Sequence, residues 1–314
     1  SDTEIARLSK LAADAVAEGA LTAALGFHDR AKARIAELDE TLDRTEASLR
    51  DRRIESAAVY AASADTRALT YDYVGAAADF ASAYEQVERW DGGLALRYKQ
   101  AEAKALSDQA FFHADEAAGE RAVAAYEAAA RLTSAETNPE AWADTRSGLA
   151  MTVWAQGERR AGTEGIERAV SILQETIDAP ALASHTVKRA QLQSDLALVL
   201  MTLGERESGT ETLHRSVAAT RAAMAVRTRD AAPMEWARLQ NHLGSTLFLL
   251  GQREQTRDGL EEAVLAFRAA LEVWTPQSAP MDWANAQNNL ALTLGELGAR
   301  DPDSARLTEA AALL

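Results

Sequence analysis

Polar side chains that suit peptide binding recur 47 residues apart in the C-terminal half of the chain. Arg238 and Asn241 are followed at that spacing by Asn285 and Asn288. An amide both donates and accepts hydrogen bonds, and a guanidinium forks onto a carboxylate, so the pattern suits a peptide backbone or a terminal carboxylate. Related positions of earlier copies, and the residue after Asn241, complete the candidate set: Asp144, Gln191, Ser194 and His242. The alternative for each position is an ordinary solvated helix face.

Patterns for catalysis and metal binding are missing. The sequence contains no Gly-x-x-x-x-Gly-Lys-Ser/Thr phosphate loop, no Gly-x-Gly-x-x-Gly motif and no Gly-x-Ser-x-Gly elbow, and it has no cysteine nucleophile. Its five histidines form neither an i,i+4 pair nor a His-Glu-x-x-His motif. We therefore predict no catalytic residue, no metal site and no cofactor.

Composition narrows the class of protein further. The 314 residues include 48 Asp plus Glu against 33 Lys plus Arg, a net charge of −15, which argues against a phosphate-binding nucleic-acid surface. An apolar content of 47 % is too high for disorder, and the 70 alanines favour helix. The sequence shows no apolar run of roughly 18 residues and no basic-then-apolar leader. We expect a cytoplasmic protein that binds neither nucleic acid nor membrane.

An internal repeat of 47 residues sets the architecture. Its turn-associated glycines fall at Gly157, Gly204, Gly251 and Gly298. Upstream of each glycine stands an aliphatic column: Leu149, Leu196, Leu243 and Leu290. The spacing of the apolar columns on both sides of the glycine fits the helical period of 3.6. Each unit is therefore predicted to be a helix, a glycine-marked turn and a second helix.

The sequence also predicts what the residues near the ends of these helices do. A glycine at a helix C-terminus takes positive φ at little cost, and proline suits a first turn. Asn138, before Pro139, is a predicted N-cap. An arginine recurs two residues after each glycine: Arg159, Arg206, Arg253 and Arg300. We expect each of them to pair with a carboxylate of its own or the neighbouring unit, such as Glu164, Glu211, Glu261 or Glu262. The alternative is that the four arginines form a ladder that contacts an acidic partner. The tryptophans at the helix starts are expected to wedge against the preceding helix: Trp142, Trp236 and Trp283.

The first 135 residues follow the same pattern less regularly. Gly19 and Gly75 each begin a helix-turn-helix signature, and a charged helical stretch, 35–71, lies between them. A degenerate unit is predicted over about 93–131. We predict degenerate helical repeats over 1–135 and four 47-residue repeats over 136–314, the last incomplete, in one continuous solenoid. The unfinished last copy and the start at Ser1 suggest a piece of a longer protein.

The repeat resembles tetratricopeptide repeats. Trp-Ala-x-x-Gln-Asn-x-Leu-Gly at 236–244 and Trp-Ala-x-x-Gln-Asn-Asn-Leu-Ala at 283–291 lead to Leu-Gly-x-Arg, and this long unit is similar to arrays in large bacterial proteins. The resemblance is close over 139–314 and loose elsewhere. The period departs from the family's usual value of about 34. The resemblance implies an all-α fold, an α-solenoid of antiparallel helix pairs wound as a right-handed superhelix with a concave groove.

Two functional hypotheses follow from that resemblance. In the first, the chain is a non-catalytic scaffold or sensor module of a larger bacterial assembly, and its groove binds a protein or peptide. An effector domain is then expected in the same full-length chain. In the second, the array is a regulatory receptor that changes its curvature when it binds a small ligand or a signalling peptide.

Overall fold

The computed structural model describes residues 3–300 and 304–313, and within these ranges the chain is helical, without β-strands. Helices α1 to α5 are Thr3–Ala17, Leu21–Leu69, Tyr73–Val87, Gly92–His113 and Glu116–Ala130. Helices α6 to α9 are Pro139–Arg159, Glu164–Ile177, Thr186–Arg206 and Glu211–Met224. Helices α10 to α13 are Pro233–Arg253, Arg257–Leu271, Pro280–Arg300 and Ser304–Leu313. A 3-10 turn, Pro180–Leu182, precedes α8.

Each α-helix packs against the next one in the chain, and the resulting antiparallel pairs stack into an α-solenoid. In the C-terminal half, α6, α8, α10 and α12 are the first helices of successive units, and each is followed by a second helix. These four first helices are 21 residues long and begin 47 residues apart. The all-α solenoid predicted from the sequence is confirmed.

The apolar columns of the repeat form the core. The leucine column is at most 6 % exposed in all four copies: Leu149, Leu196, Leu243 and Leu290. On the second helices, Leu213 and Leu260 are fully buried. The column of the second helices ends at Leu307 on α13. Leu307 is 46 % exposed because no described helix packs over that side of α13.

The predicted signals for helix starts are confirmed. The Asn138 side chain accepts a hydrogen bond from the backbone nitrogen of Ala141 at 3.2 Å and so caps α6. The three prolines of the repeat occupy the first position of their helices: Pro139, Pro233 and Pro280. Trp236 and Trp283, which follow them, pack partly buried against a cluster that includes Trp274 near the end of α11. Trp283 on α12 therefore lies against the unit before it, as predicted, whereas this cluster joins Trp236 on α10 to the second helix of its own unit.

The recurring glycines do not form the turns predicted for them. Each lies inside its first helix, two residues before the end, and none has positive φ: Gly157, Gly204, Gly251 and Gly298. A Cβ atom on Gly251 would lie 2.8 Å from Cγ of Leu260 and 3.0 Å from its backbone nitrogen. The glycine is therefore needed because the second helix approaches the first at this point. Other residues with positive φ, such as Gly162 and Gln255, make the turns.

The prediction that the recurring arginines pair with carboxylates is confirmed for Arg300 and wrong for the other three. Each donates to main-chain carbonyl groups at the end of the preceding first helix, and not to the carboxylates named above: Arg159, Arg206, Arg253 and Arg300. The last carbonyl groups of a helix have no partner within it and carry the negative end of its dipole. Among the residues that the structure describes, Arg300 is the one member of this column that also pairs with a carboxylate, that of Glu296 in its own helix.

The N-terminal part differs most from the prediction. The predicted second helix after Gly19 and the charged stretch that follows form one continuous helix, α2, of 49 residues. Neither part contains a proline or a turn signal that would separate them, so the helix does not stop. Helices α4 and α5 occupy the residues for which the degenerate unit is predicted.

Candidate functional site

The first helices form the inner face of the solenoid. Neighbouring first helices contact each other directly, through bonds such as Gln100 Nε2 to Thr145 Oγ1 at 2.7 Å and Ser147 Oγ to Asp195 Oδ2 at 2.8 Å. Second helices of neighbouring units are bridged by long side chains in ion pairs: Arg168–Glu127, Arg221–Glu262 and Arg268–Glu309. The units therefore stack more closely on the first-helix side, and that side is the concave one.

The N-terminal halves of the first helices give this inner face a polar row. Two predicted site residues in this row, Asp144 and Gln191, already form hydrogen bonds within the protein. Asp144 Oδ1 accepts from Lys188 Nζ at 2.5 Å. Gln191 Oε1 accepts from Arg227 Nη2 at 3.3 Å, and the same guanidinium pairs with Glu235. Asp144 and Gln191 therefore already join one unit to the next.

Other predicted residues of this row are open to a partner. Arg238 on α10, and Asn285 and Asn288 on the adjacent α12, are exposed. Asn241 is half-buried, and its Oδ1 atom is buried without a hydrogen-bond partner among the described residues. The Ser194 side chain is buried. Arg238, Asn285 and Asn288 thus form the accessible part of the predicted site.

His242 is half-buried. Its Nε2 atom is buried and has no hydrogen-bond partner among the described residues. Burial lowers the pKa of His242 to about 4, and the nearby Arg238 adds to this effect. The imidazole is therefore neutral at pH 7.

The half-buried carboxylate of Asp195 lies near Arg238 of the same row. Burial raises the pKa of Asp195, while the bond from Ser147 and the positive charge of Arg238 lower it. Arg238 thus already lies near a negative charge of the protein. This arrangement favours a neutral group, such as a peptide amide, over the terminal carboxylate suggested by the sequence.

The C-terminal halves of the first helices make the inner face apolar. Between α4 and α6 lies a cleft of about 270 Å³, the α4–α6 cleft. Its apolar lining includes Phe111, Tyr126, Met151 and Trp154. Phe111 is 59 % exposed, so the cleft opens onto solvent along an aromatic edge. The volume suits one bulky side chain of a bound segment.

A second cleft of about 230 Å³ lies among α8, α10, α11 and α12, the α8–α12 cleft. Phe267, Phe248 and Leu292 contribute to its lining. Phe267 and Tyr126 occupy the same repeat position three units apart, and each ring lies against a glycine of a first helix, Gly244 and Gly148 respectively. A Cβ atom on either glycine would lie within 2.7 Å of the ring. The contacts differ in one respect, since Tyr126 lies against the first helix of the next unit and Phe267 against the first helix of its own unit.

Sequence reasoning missed these clefts, although a signal for them exists. Trp154, Met201 and Phe248 are large apolar residues 47 residues apart, and the last two lie two helical turns beyond Ser194 and Asn241 of the candidate set. In a solvated helix face that column would be polar. All three side chains are only half-buried and line one or the other cleft.

Two carboxylates lie between the clefts. Glu158 follows the lining of the α4–α6 cleft on α6, and Glu205 on α8 lines the α8–α12 cleft. Partial burial raises the pKa of Glu205, and the negative charge of Glu158 raises it further. Neither carboxylate forms an ion pair within the described part of the chain. The nearby Arg253 and Arg206 lower the pKa of Glu205 in turn, so the inner face carries an acidic pair between the two apolar clefts whose charge is offset in part by these two arginines.

Two further features concern metals and membranes. In residues 3–300 and 304–313, no group of three or more His, Asp or Glu side chains is arranged to hold a metal ion. None of the described helices has the length and apolar content that crossing a membrane requires.

Comparisons with known proteins gave limited information. No family model and no curated protein matches the chain. Among solved structures, BtubC from P. vanneervenii shows 16 % identity, covering 84 % of this chain and 90 % of that one, with a TM-score of 0.49. The TPR2AB domain of yeast Sti1 in complex with pHSP90 shows 13 % identity, 85 % and 91 % coverage, and a TM-score of 0.28. A circular tandem repeat protein shows 17 % identity, 99 % and 81 % coverage, and a TM-score of 0.37. These values are too low to carry an inference about function.

Proposed function

We propose that the chain is a non-catalytic scaffold that binds a segment of a partner protein along its inner face. The observation that supports this best is the pair of apolar clefts on one continuous concave surface. In our proposal the chain is a long-period tetratricopeptide-like array in a larger bacterial assembly, works in the cytoplasm and serves an effector domain of the same protein.

The clefts favour a partner segment with two bulky apolar side chains. Each cleft has room for roughly one such side chain, and burying a large apolar side chain contributes about 1.5–3 kcal/mol. Partly exposed aromatic rings such as Phe111 are typical anchors of protein interfaces. Two anchors on one segment add their binding energies, so neither has to be strong.

The charges favour a basic residue between those anchors. Glu158 and Glu205 repel each other, Arg253 and Arg206 offset part of the charge of Glu205, and a lysine or arginine of the partner would relieve the repulsion that is left. The net charge of −15 also attracts basic segments and repels acidic ones at long range. The polar row, with Arg238, Asn285 and Asn288, would then bind the backbone of the same segment.

A selection from a display library of random peptides tests the proposal, because it does not require the partner to be identified first. We expect the chain to enrich peptides with two bulky apolar residues that flank a lysine or arginine. Phe111→Glu and Leu292→Glu place a charge in one cleft each and should weaken the enriched peptides at least about tenfold, because each removes an apolar contact.

The matched control is Leu265→Glu on α11. Leu265 is 65 % exposed, as Leu292 is 53 % exposed, but it lies on a second helix away from both clefts. Binding should remain within about twofold in that variant. Failure to enrich any peptide, or peptides equally sensitive to all three variants, would contradict binding on the inner face.

A further inference from the structure

Four aromatic rings form a continuous strip beside the α4–α6 cleft. Tyr71 lies in the turn before α3, Tyr73 begins α3, and Phe111 and Phe112 lie near the end of α4. The ring of Tyr73 stacks on that of Phe112 with the centroids 5.7 Å apart. Tyr71 meets Tyr73 nearly at a right angle at 6.3 Å, and Phe111 meets Phe112 in the same way at 5.1 Å. These four residues are called the aromatic strip.

The aromatic strip is mostly open to solvent. Tyr71, Phe111 and Phe112 are 70 %, 59 % and 61 % exposed, whereas Tyr73 is buried between Tyr71 and Phe112. Exposed apolar side chains are common singly, but a contiguous group of them is typical of an interaction surface. Phe111 also lines the α4–α6 cleft, so the strip and the cleft form one surface.

The backbone of Tyr71 indicates that this side chain serves more than the fold. Its φ is 62°, in the left-handed region, where glycine and asparagine are accommodated at lower cost than an aromatic residue. The ring gains little from the fold in return, because Tyr71 is largely exposed. Residues in such unfavourable backbone conformations cluster at ligand-binding sites.

The chemistry around the aromatic strip favours an uncharged occupant. The carboxylate of Asp72 pairs with Arg67 at 2.6 Å, and that of Asp115 caps the start of α5. The carbonyl oxygen of Phe111 accepts a hydrogen bond from Arg159 at 2.8 Å. These polar groups already have partners within the protein, so the strip offers mainly aromatic rings and tyrosine hydroxyl groups.

A segment in the polyproline II conformation matches these properties best. Such a helix has no internal hydrogen bonds and rises about 3.1 Å per residue, so two residues cover about 6 Å. The ring centroids of the strip are separated by similar steps of 5.1 to 6.3 Å. Surface aromatic side chains are the usual partners of proline-rich segments. A bound β-strand would need a sheet edge, which the described residues lack, and a bound α-helix would need a groove instead of a single row of rings.

We propose that the partner segment continues beyond the α4–α6 cleft as a proline-rich stretch in polyproline II conformation, bound on the aromatic strip. This stretch presupposes the function proposed above, because Phe111 joins the strip to the cleft. Proline rings pack on Phe112 and Tyr71, and a tyrosine hydroxyl group donates to a backbone carbonyl group of the stretch. The strip thus adds affinity at the end of the inner face that lies away from the α8–α12 cleft.

A second display library tests the aromatic strip without the clefts. Its peptides carry proline at every third position and no bulky apolar residue that would fill a cleft. We expect the chain to enrich peptides from it, and Phe112→Ala should weaken them at least about fivefold, because an exposed ring of the strip is lost. The matched control is Tyr60→Ala. Tyr60 is 41 % exposed on α2 outside the strip, and binding should remain within about twofold.

Tyr71→Asn separates binding from stability. Asparagine tolerates the left-handed φ at this position, so the melting temperature of the variant should stay equal or rise. Binding of the proline-rich peptides should nevertheless weaken at least about threefold, because the ring is removed. A side chain that served the fold alone would show the opposite pattern, a lower melting temperature with unchanged binding.

Longer peptides test the connection between the strip and the α4–α6 cleft. They join an enriched proline-rich stretch to one bulky apolar residue, placed before the stretch or after it. In one of the two orders the affinity should exceed that of the stretch alone at least about tenfold, because the second contact becomes intramolecular. Phe111→Glu, which changes the residue shared by both surfaces, should remove this gain.

Several results would overturn the proposal. Proline-rich peptides that bind equally well to Phe112→Ala do not lie on the strip, and a lack of gain in both orders separates the strip from the cleft. Self-association of the chain that is lost in Phe112→Ala, without enrichment of proline-rich peptides, would assign the strip to a second copy. If the random library yields cleft-dependent peptides and the proline-rich library yields none, the proposed function stands and the stretch on the strip is refuted. The reverse result refutes binding in the clefts and with it the continuous segment.

Discussion

The guanidinium group of Arg206 caps the end of a helix that lies one unit before its own. Its Nη1 atom donates to the carbonyl oxygen of Gly157 at 3.0 Å. The same relationship, 49 residues apart, joins Arg253 to Gly204 at 2.6 Å and Arg300 to Gly251 at 3.1 Å. Each unit thus supplies the C-cap that the preceding unit lacks, and the ends of neighbouring first helices are held in register.

Removing one of these caps should destabilise the array. We expect Arg253→Ala to lower the free energy of unfolding by about 1–3 kcal/mol, because carbonyl groups of α8 lose a charged donor. Arg221→Ala breaks an exposed ion pair on the convex side and should cost below about 1 kcal/mol. Urea denaturation measures both. Equal costs would show that the caps contribute no more than surface ion pairs.

The glycine column should resist alanine despite alanine's higher helix propensity. Gly251→Ala places a Cβ against the backbone of Leu260, and we expect a loss of stability of about 1–3 kcal/mol. Gly295 on α12 has no atom within 4 Å of the corresponding position, so Gly295→Ala should stabilise by about 0.5–1 kcal/mol. Thermal melting of both variants tests whether the two changes in stability have opposite signs.

The leucine column should dominate the stability of each unit. Leu243 is 6 % exposed between the helices of its unit, and Leu243→Ala should cost about 2–5 kcal/mol. Asn288→Ala on the exposed polar row should change stability by less than roughly 0.5 kcal/mol. If the denaturation midpoints of the two variants shift equally, the assignment of buried and open faces is wrong.

His242 should make the fold acid-sensitive. Its pKa is about 4 in the folded chain and near 6.5 when unfolded, so its contribution is complete above pH 6.5 and is lost as the pH falls toward 4. The loss amounts to about 3 kcal/mol. His242→Asn, which installs the residue found at the same position of the next unit, should remove that slope.

The acid titration of His242 needs a background without Asp195. Burial raises the pKa of Asp195, so protonation of this carboxylate stabilises the fold as the pH falls, opposite in sign to His242. The Asp195→Asn variant is therefore compared with the double variant that carries Asp195→Asn and His242→Asn. The urea midpoints of both are measured between pH 7 and pH 4. An unchanged slope after His242→Asn would contradict the buried neutral imidazole.

The polar row should contribute to binding independently of the clefts. A double variant, Asn285→Ala with Asn288→Ala, should bind the selected peptides roughly tenfold or more weakly while it stays folded, because paired polar contacts cost about 1–3 kcal/mol when lost. Titration of the peptides into both chains measures this. Unchanged affinity would restrict the binding surface to the clefts.

The sequence by itself determined the repeat, its period and the buried columns. Leucines such as Leu243 and Leu290 recur at helical spacing, and that spacing alone places them on one side of a helix. The start of helix α6 could be predicted because its cap is local in sequence. Asn138 accepts a hydrogen bond from a backbone group three residues away. Local chemistry of this kind does not depend on the neighbouring unit.

Only the tertiary structure decided what the recurring polar and small residues do. Arg206 acts on Gly157 in the preceding unit, and Gly251 is required by the approach of Leu260. The exposure of Phe111 and the burial of His242 likewise depend on which helices pack beside them. Each of these properties depends on the distance between helices, and a one-dimensional spacing cannot specify that distance because several packings satisfy the same period.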